Sequence, residues 1–357
     1  MHAETQSEAQ RQLSVCNACR YCEGYCSVFP EITRHKDFGL AEIAHLANLC
    51  HNCRGCYYAC QFTAPHEFDL NLPQILAIAR QESWTDYAFP NGFAHRFQSS
   101  GTAISLAMIA GIATIFALAQ IFGRLGNGSG FYAVISHALM VAIFMPAFLL
   151  PLGVMAVGVR RYWKQVGGGW VHPGDIWVAI LAAATMKNLS GGHGEGCNYE
   201  DKDRYSNTRR ILHHFTMYGF LLCFASTSTG TIYHYFLNYP APYPLFSLPK
   251  LFGISGGVSL SLGTLGLMWL KTKSDDHLDA AAYRSGDFAF VLLLFLVSTT
   301  GLLLYVQGLV DFLVAEMLIL HLGAVLTLFL LLPYSKMAHG FYRFAALVQD
   351  AVRNRSA

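Results

Sequence analysis

The chain has 357 residues, of which 54% are hydrophobic and only 13% are charged, and its mean hydropathy is +0.35. A soluble domain usually carries about 25% charged residues, so this composition points to a membrane protein. The net charge of +2 is too small to indicate a nucleic-acid partner. Residues 1–13 are polar and lack the apolar stretch of a signal peptide. We therefore expect the segment that follows to stay in the reducing cytoplasm.

Two identically spaced cysteine runs dominate the first 60 residues. Each has the spacing C-x₂-C-x₂-C-x₃-C, which is typical of bacterial two-cluster ferredoxins. In that arrangement three cysteines of one run and the fourth of the other hold one [4Fe–4S] cluster, so we predict two clusters with exchanged fourth ligands. The first ligand set is Cys16, Cys19, Cys22 and Cys60, and the second is Cys50, Cys53, Cys56 and Cys26.

The runs depart from the ferredoxin pattern at one point, because Ser27 and Gln61 stand where a proline usually follows the fourth cysteine. Two other interpretations are zinc sites and disulfides. Zinc sites favour separated cysteine pairs over runs of four, and disulfides need an oxidising compartment. Both are therefore less consistent with the pattern than iron–sulfur clusters.

Residues 1–100 are expected to form a helical, ferredoxin-like cytoplasmic head. Apolar residues recur at helical spacing from Phe38 to Leu49, and a second helix is predicted after Pro73, from Gln74 to Glu82. Few runs alternate in the manner of β-strands. The predicted fold is therefore all-α, with a head that differs from a βαβ ferredoxin.

Residues 101–357 are expected to form a six-helix membrane domain. With the N-terminus inside, the outer loops contain only Arg124 and Lys250, and all other lysines and arginines lie inside. This distribution predicts that both termini are cytoplasmic. A tight turn is expected near Val310–Asp311. Six apolar segments have about the 20 residues that a span needs: 102–122, 131–157, 211–237, 252–270, 287–309 and 312–332.

The long inner loop, residues 159–210, has its own character. Asp175 to Lys187 could form an amphipathic helix at the membrane interface. Gly191 to Cys197 is glycine-rich, but no strand precedes it, so a dinucleotide fingerprint is rejected. A flexible connector and a contact with the head or a partner both stay open. Cys197 and Cys223 are interpreted as structural thiols, and since no flavin fingerprint exists, any flavin must belong to another chain.

Six histidines lie in or beside the predicted spans, where ionisable groups are uncommon and usually functional. Histidine is a common haem ligand, and two opposed histidines suit electron transfer through a b haem. One or two haems are compatible with the number of candidates. The candidates are His137, His213, His214, His234, His321 and His339.

The inner histidine pair follows from helix spacing. His321 and His339 are 18 residues apart and share a face if the sixth helix continues past Pro333. Because the third helix runs outward and the sixth inward, His213 or His214 should meet His339 near the cytoplasm. Face matching with His234 favours His213, but a one-residue adjustment would select His214.

An outer pair is predicted nearer the other face of the membrane. There His234 should meet His321, and His137 competes with His234 as the partner. Each histidine could instead bond a carbonyl on a neighbouring helix. At the inner boundary, Arg209 and Arg210 could pair with haem propionates or serve only as positive-inside anchors.

Two resemblances follow from these segments. The stretch from His321 through Pro333-Tyr-Ser-Lys to His339 resembles the haem-binding helix of the membrane (gamma) subunit of respiratory nitrate reductase, where two such histidines ligate different b haems. In that subunit the partner helix has histidines ten residues apart, whereas here Phe224 follows His214 by ten. Across essentially the whole chain, the cysteine runs, Gly191–Asn198 and Arg209 to Phe220 resemble the tricarballylate and citrate utilisation protein B family.

Membership of that family implies a place in a respiratory electron path. Electrons would come from an FAD-containing dehydrogenase that oxidises tricarballylate to cis-aconitate, pass through two [4Fe–4S] clusters and b haem, and reach quinone in the bacterial inner membrane. The module is also similar to the C-terminal half of a flavoprotein used in cobalamin ring synthesis. Two other classes stay open: a tricarboxylate transporter, which the scarcity of charges in the span centres disfavours, and a redox sensor.

Overall fold

The structure, a computed structural model, describes residues 1–123, 125–126, 130–191, 194–200, 204–310 and 312–356. Across these residues the regular secondary structure is helical, with strand-type pairing limited to isolated bridges. The prediction of an all-α protein is therefore confirmed. The helices are α1 (Ala3–Cys19), α2 (Val28–Ile32), α3 (Leu40–Leu49), α4 (Gly55–Tyr58), α5 (Leu72–Tyr87), α6 (Asn91–Gly123), α7 (His137–Gln165), α8 (Pro173–Thr185), α9 (Thr208–Tyr235), α10 (Leu248–Lys271), α11 (Arg284–Val310), α12 (Val314–Leu330) and α13 (Ala338–Ser356).

The head contains α1 to α5, and both helices predicted there are present as α3 and α5. Local sequence fixes where they begin. The Glu42 carboxylate accepts a hydrogen bond of 2.9 Å from the Gly39 amide at the start of α3. At α5 the Asn71 side chain accepts from the Gln74 amide, and Pro73 fits the first turn, where no amide hydrogen is needed.

Within the described ranges, four helices are long and apolar enough to cross a membrane: α6, α7, α10 and the helix that ends at Val310, α11. They contain the predicted spans 102–122, 252–270 and 287–309 and most of 131–157. The other two expected spans fall on α9, which is long but less apolar, and on α12, a shorter apolar helix of 17 residues. The count of six spans stays a prediction, and Asp311, in the expected turn, lies outside the described residues.

Helix α9 packs against α10 through glycines. A Cβ atom added at Gly219 would lie 2.5 Å from the Leu260 amide nitrogen, and one at Gly263 would lie 2.6 Å from that of Thr216. Small residues at such positions let two backbones approach closely, which is a common way for membrane helices to associate. This contact fixes the rotation of α9 and hence the direction in which each of its histidines points.

One hydrophobic core joins the head to the rest of the chain. It includes Leu13 and Leu46 from the head, Tyr162 near the end of α7, and Tyr342 on α13. The Tyr342 ring stacks on Trp84 of α5 with ring centres 6.2 Å apart. Helix α13 therefore packs into the head, although it follows the last predicted span by sequence.

The expectation that the sixth helix continues past Pro333 is wrong. Helix α12 ends at Leu330, residues 331–337 form successive turns, and α13 begins at Ala338. Proline lacks an amide hydrogen, and its ring clashes with the carbonyl four residues earlier, here that of Phe329. The shared face of His321 and His339 can therefore not be inferred from one continuous helix.

The inner loop contains a helix where the sequence indicated one. Helix α8 buries Ala179 against the core and leaves Ile176, Trp177 and Val178 exposed. Its Asp175 side chain accepts two hydrogen bonds from Arg355 of α13. The glycine-rich stretch from Gly191 to Cys197 follows α8, and residues 192–193 of this stretch lie outside the described residues.

Candidate metal centres

The first predicted thiol set lies at the surface of the head. Cys16 and Cys19 end α1, Cys22 lies in the following turn, and Cys60 follows α4. Cys19 is exposed, and the neighbouring Tyr21 side chain has 68% of its surface exposed. This set is therefore accessible from solvent at one side.

The thiols interact electrostatically in the two sets that the sequence predicts. The pKa of Cys16 is raised to about 12, mainly by burial and then by the nearby thiols of Cys60, Cys22 and Cys19. The pKa of Cys26 is also raised, mainly by burial and to a smaller extent by the nearby thiols of Cys53 and Cys50. Each fourth cysteine thus lies near the thiols of the other run. The exchange of fourth ligands is consistent with this geometry.

The second thiol set lines one cavity between the head and the inner loop. Cys26, Cys50, Cys53 and Cys56 all contribute to its wall, together with apolar side chains from the head. Burial and the neighbouring thiols raise the pKa of Cys53 to about 12. A site that takes thiolates must therefore supply positive charge, as iron does, because metal binding displaces these protons.

The cysteine spacing is typical of iron–sulfur clusters rather than of zinc sites. Among the described residues, no group of three or more cysteine, histidine or acidic side chains is arranged to hold a single metal ion. The donor chemistry and the cavity both fit [4Fe–4S] clusters.

Corresponding residues of the two runs adopt the left-handed backbone conformation. Arg20, after the second cysteine of the first run, has φ 56°, and Arg54, at the same position of the second run, has φ 66°. Such a residue reverses the chain direction so that the next cysteine turns back toward the same centre. Backbone amides also approach the sulfurs, since those of Asn52 and Phe62 lie 3.4 Å from Sγ of Cys50 and Cys60.

The inner histidine pair is His213 on α9 and His339 on α13. Their ring centres are 5.9 Å apart and the rings are nearly perpendicular, at 83°. Two imidazoles that bind one metal from opposite sides, at about 2 Å per bond, have ring centres roughly 6 Å apart. His213 also has a buried Nδ1 atom without a hydrogen-bond partner among the described residues. The pair therefore fits a bis-histidine haem.

A backbone carbonyl holds the His339 ring in an orientation suited to binding iron. Its Nδ1 donates to the Lys336 carbonyl in the turn that follows α12, which leaves Nε2 as the free lone-pair donor. Burial and the nearby Arg343 guanidinium hold the pKa of His339 well below its ordinary value, so the ring is neutral. A neutral imidazole is the form that binds iron.

His214 and the two arginines before His213 have other partners. The His214 Nε2 atom lies 3.2 Å from the Ala184 carbonyl at the end of α8, and Arg210 donates to the Thr185 carbonyl. Arg209 donates to the Asn52 carbonyl at 2.6 Å, beside the second thiol set. The structure thus places His213 beside His339 and ties His214 to α8.

The outer histidines are arranged differently from the predicted pairing. His234 stacks on His137, with ring centres 4.2 Å apart and planes 19° apart. The His321 Nδ1 atom lies 3.0 Å from the Thr300 hydroxyl oxygen, beside Gly301. His234 is thus in direct ring contact with His137, which was predicted as its competitor for His321, whereas His321 contacts Thr300.

Sequence reasoning missed a group of arginines around the second thiol set. Arg80 of α5 and Arg343 of α13 both donate to the Cys50 carbonyl, at 2.8 and 3.0 Å. Arg54, almost fully buried, pairs with Asp279. Only the position of Arg343, one turn after His339, could have indicated this role.

The loop after α8 also contacts this set. The Asn198 amide donates to the Cys53 carbonyl at 2.9 Å, and this main-chain bond connects the inner loop to the head. Cys197 donates its thiol to the Leu189 carbonyl and is buried beside Cys53, in keeping with a structural thiol. Of the two alternatives for this stretch, contact with the head is the one observed in its described part.

Comparison with known proteins agrees with this architecture. Residues 96–357 match the family described as citrate utilization protein B, and residues 9–86 match its Fer4-like domain. The chain belongs to the citrate utilization protein B family. It is 42% identical to the citrate utilization protein B of Escherichia coli over 358 residues, which cover 99% of this chain and 93% of that protein. No solved structure matches the chain.

Membership of this family confirms the resemblance seen across the whole chain. The Fer4-like match contains all the predicted cysteine ligands, since both runs, from Cys16 to Cys60, lie within residues 9–86. A Fer4-like head followed by apolar helices is therefore the architecture of this family member.

Proposed function

We propose that this protein carries electrons from a reduced flavoprotein dehydrogenase, through two [4Fe–4S] clusters and b haem, to quinone in the bacterial inner membrane. The observation that carries the proposal is the order of the sites. The first thiol set includes the exposed Cys19, the thiols of the second set are partly buried around one cavity, and Arg343 connects the second set to the helix of His339. These groups form a path from the surface of the head toward the membrane helices.

The exposed side of the first thiol set is the proposed docking face for the flavoprotein. Cys19 and Tyr21 are exposed there, whereas the thiols of the second set are partly buried and line a cavity. Since no flavin fingerprint exists in this chain, the flavin belongs to a partner. The partner is expected to be an FAD-containing dehydrogenase of the tricarballylate- or citrate-utilising type, and the name of the Escherichia coli relative, citrate utilization protein B, supports the link to citrate use.

The residues of this chain position the redox groups. Bound clusters and haem supply one-electron chemistry, and the protein supplies geometry and electrostatics. The eight thiols hold the two clusters, and amides such as those of Asn52 and Phe62 donate toward their sulfurs. His213 and His339 hold the inner haem, with the Lys336 carbonyl fixing the His339 ring.

A reconstituted system tests this function. The full-length protein in lipid nanodiscs should re-oxidise a reduced flavoprotein dehydrogenase when a water-soluble quinone is supplied, and it should not oxidise tricarballylate alone. His339→Ala should stop electron flow to quinone. His214→Ala is the control, because His214 lies next to His213 but contacts the Ala184 carbonyl, and this variant should retain electron flow. Dehydrogenase activity from this chain by itself would overturn the assignment to an electron-transfer subunit.

Reconstitution of the protein into lipid vesicles, which unlike nanodiscs enclose an interior, separates the two other candidate functions. A tricarboxylate transporter would take up substrate into vesicles after deletion of the head, which an electron carrier would not do. A redox sensor would show reducible clusters but no sustained flux to quinone. Sustained quinone reduction without substrate uptake is the result that the proposal predicts.

A further inference from the structure

Besides Arg54, which pairs with Asp279, three arginines lie around the second thiol set, and among the described residues none of these three forms an ion pair with a carboxylate. Arg80 and Arg343 donate to the Cys50 carbonyl, and Arg209 donates to the Asn52 carbonyl two residues later. The Nε atoms of Arg80 and Arg343 are buried and lack hydrogen-bond partners in the described part of the chain. Three cations from α5, α9 and α13 thus converge on one short loop of the head.

The neighbouring acidic groups are engaged with other cations. Asp279 pairs with Arg54, and Asp287 pairs with Lys336 and accepts from Gln81. Of the three arginines, Arg80 is buried, and Arg209 and Arg343 are partly buried. A buried positive charge of this kind is stable only when an anion offsets it.

The described surroundings of the first thiol set contain no matching group of buried cations. Arg20 occupies the position that corresponds to Arg54, but its side chain is exposed, and its Nε donates to the Asn17 carbonyl of its own helix. Exposed charges act weakly because solvent screens them. The two sets therefore differ in electrostatic environment although their cysteine spacings are the same.

We infer that Arg80, Arg209 and Arg343 hold the reduction potential of the second cluster above that of the first. This inference rests on the proposed function. A cluster with four thiolate ligands is an anion that gains negative charge on reduction, and nearby cations that are at least partly shielded from solvent stabilise the reduced form. The arginines thereby give electron transfer a direction, from the first set to the second set and on toward His339.

Arg343 is the residue that best tests the inference. It is only partly buried, it lies one turn after His339, and it contacts the second set through a backbone carbonyl rather than through a ligand sulfur. Arg343→Gln removes the charge, Arg343→Lys retains it, and Arg20→Gln removes the corresponding charge near the first set. The measurement is an anaerobic redox titration of the full-length protein in detergent, followed by electron paramagnetic resonance of each cluster.

In the unaltered protein the second cluster should be reduced at the higher potential. Arg343→Gln should lower the midpoint of the second cluster and leave that of the first unchanged, Arg343→Lys should retain most of the original value, and Arg20→Gln should change neither. Equal midpoints in Arg343→Gln and the unaltered protein, or a shift confined to the first cluster, would overturn the inference.

Two further outcomes are distinguishable. If Arg343→Gln loses its clusters, Arg209→Gln takes its place in the test. Its second cluster should have a lower midpoint potential than in the unaltered protein, and an unchanged midpoint potential in Arg209→Gln refutes the inference. If the unaltered protein contains no clusters, the proposed function fails together with the inference. Clusters that are present but insensitive to both substitutions leave the proposed function standing and remove only the role of the arginines.

Discussion

Replacement of Glu31 by glutamine should loosen the attachment of α13 to the head. The Glu31 side chain is completely buried on α2, where it accepts from Arg353 of α13 and lies 3.1 Å from Nε2 of His35. Arg353 also donates to the Val166 carbonyl at the end of α7. One carboxylate thus joins three parts of the chain, and its loss leaves the arginine without its anionic partner.

The expected cost of this change is large for one residue. Removal of one partner from a buried ion pair typically destabilises a protein by about 3–5 kcal/mol. A domain has roughly 5–15 kcal/mol of stability in all, so this is a substantial share. Glu8→Gln is the matched control, because its pair with Arg11 is exposed and should be worth less than about 1 kcal/mol.

The assay is urea unfolding in detergent micelles, followed by circular dichroism at several pH values. Burial raises the pKa of Glu31, but the hydrogen bond with His35 and the charge of Arg353 outweigh it, so the folded-state pKa is lowered. The stability that Glu31 provides is thus present above its unfolded pKa, near 4.5, and is lost as the pH falls through the lower folded value. If Glu31→Gln costs no more than Glu8→Gln at pH 7, the reasoning is refuted.

Three other changes have defined outcomes. His339→Ala should lose the inner haem while both clusters stay intact, as absorbance and electron paramagnetic resonance would show, and full haem content would exclude it as a ligand. Cys60→Ser should damage the cluster of the first set, because its thiol interacts with Cys16 of that set; selective loss of the other cluster would contradict the exchanged assignment. Burial and Glu31 raise the pKa of Asp350 to about 6 from 3.8, so the folded protein disfavours its charge. Asp350→Asn should therefore stabilise the fold at pH 7 by up to roughly 3 kcal/mol, at about 1.4 kcal/mol per pKa unit, and the difference in urea unfolding should vanish below about pH 4.

The thiol sets could be predicted because cysteine spacing is a local property. Three cysteines within seven residues can reach one centre only by turning around it, and the left-handed Arg20 and Arg54 provide those turns. The fourth ligand of each cluster could be assigned because ferredoxins with this spacing exchange the fourth cysteine between the two runs. The sequence therefore contained nearly all the information for this part of the site.

The histidine pair was only partly predictable. The choice of His213 over His214 depends on the rotation of α9 about its axis. Close contacts at Gly219 and Gly263 determine this rotation, whereas helical periodicity in the sequence leaves it uncertain by one residue. His339 was selected through a continuous helix that in fact ends before Pro333. It still reaches His213, because the turns after α12 and the packing of α13 on the head bring it there.

The arginines were not predictable from local sequence. Arg80, Arg209 and Arg343 are separated by more than a hundred residues from one to the next, and only the packing of α5, α9 and α13 around the second set brings them together. Lysines and arginines near predicted spans were interpreted as anchors on the inner side. Their contacts with the main chain of the second set, which the sequence does not reveal, are what distinguish these three from the others.

The central claim is that this chain holds two iron–sulfur clusters and a haem in one continuous electron path. Its most direct test is anaerobic purification of the full-length protein, followed by quantification of iron, acid-labile sulfide, haem and zinc per chain. The account predicts about eight acid-labile sulfides, a matching amount of non-haem iron, and at least one haem. Stoichiometric zinc in place of sulfide, or clusters without any haem, would contradict it.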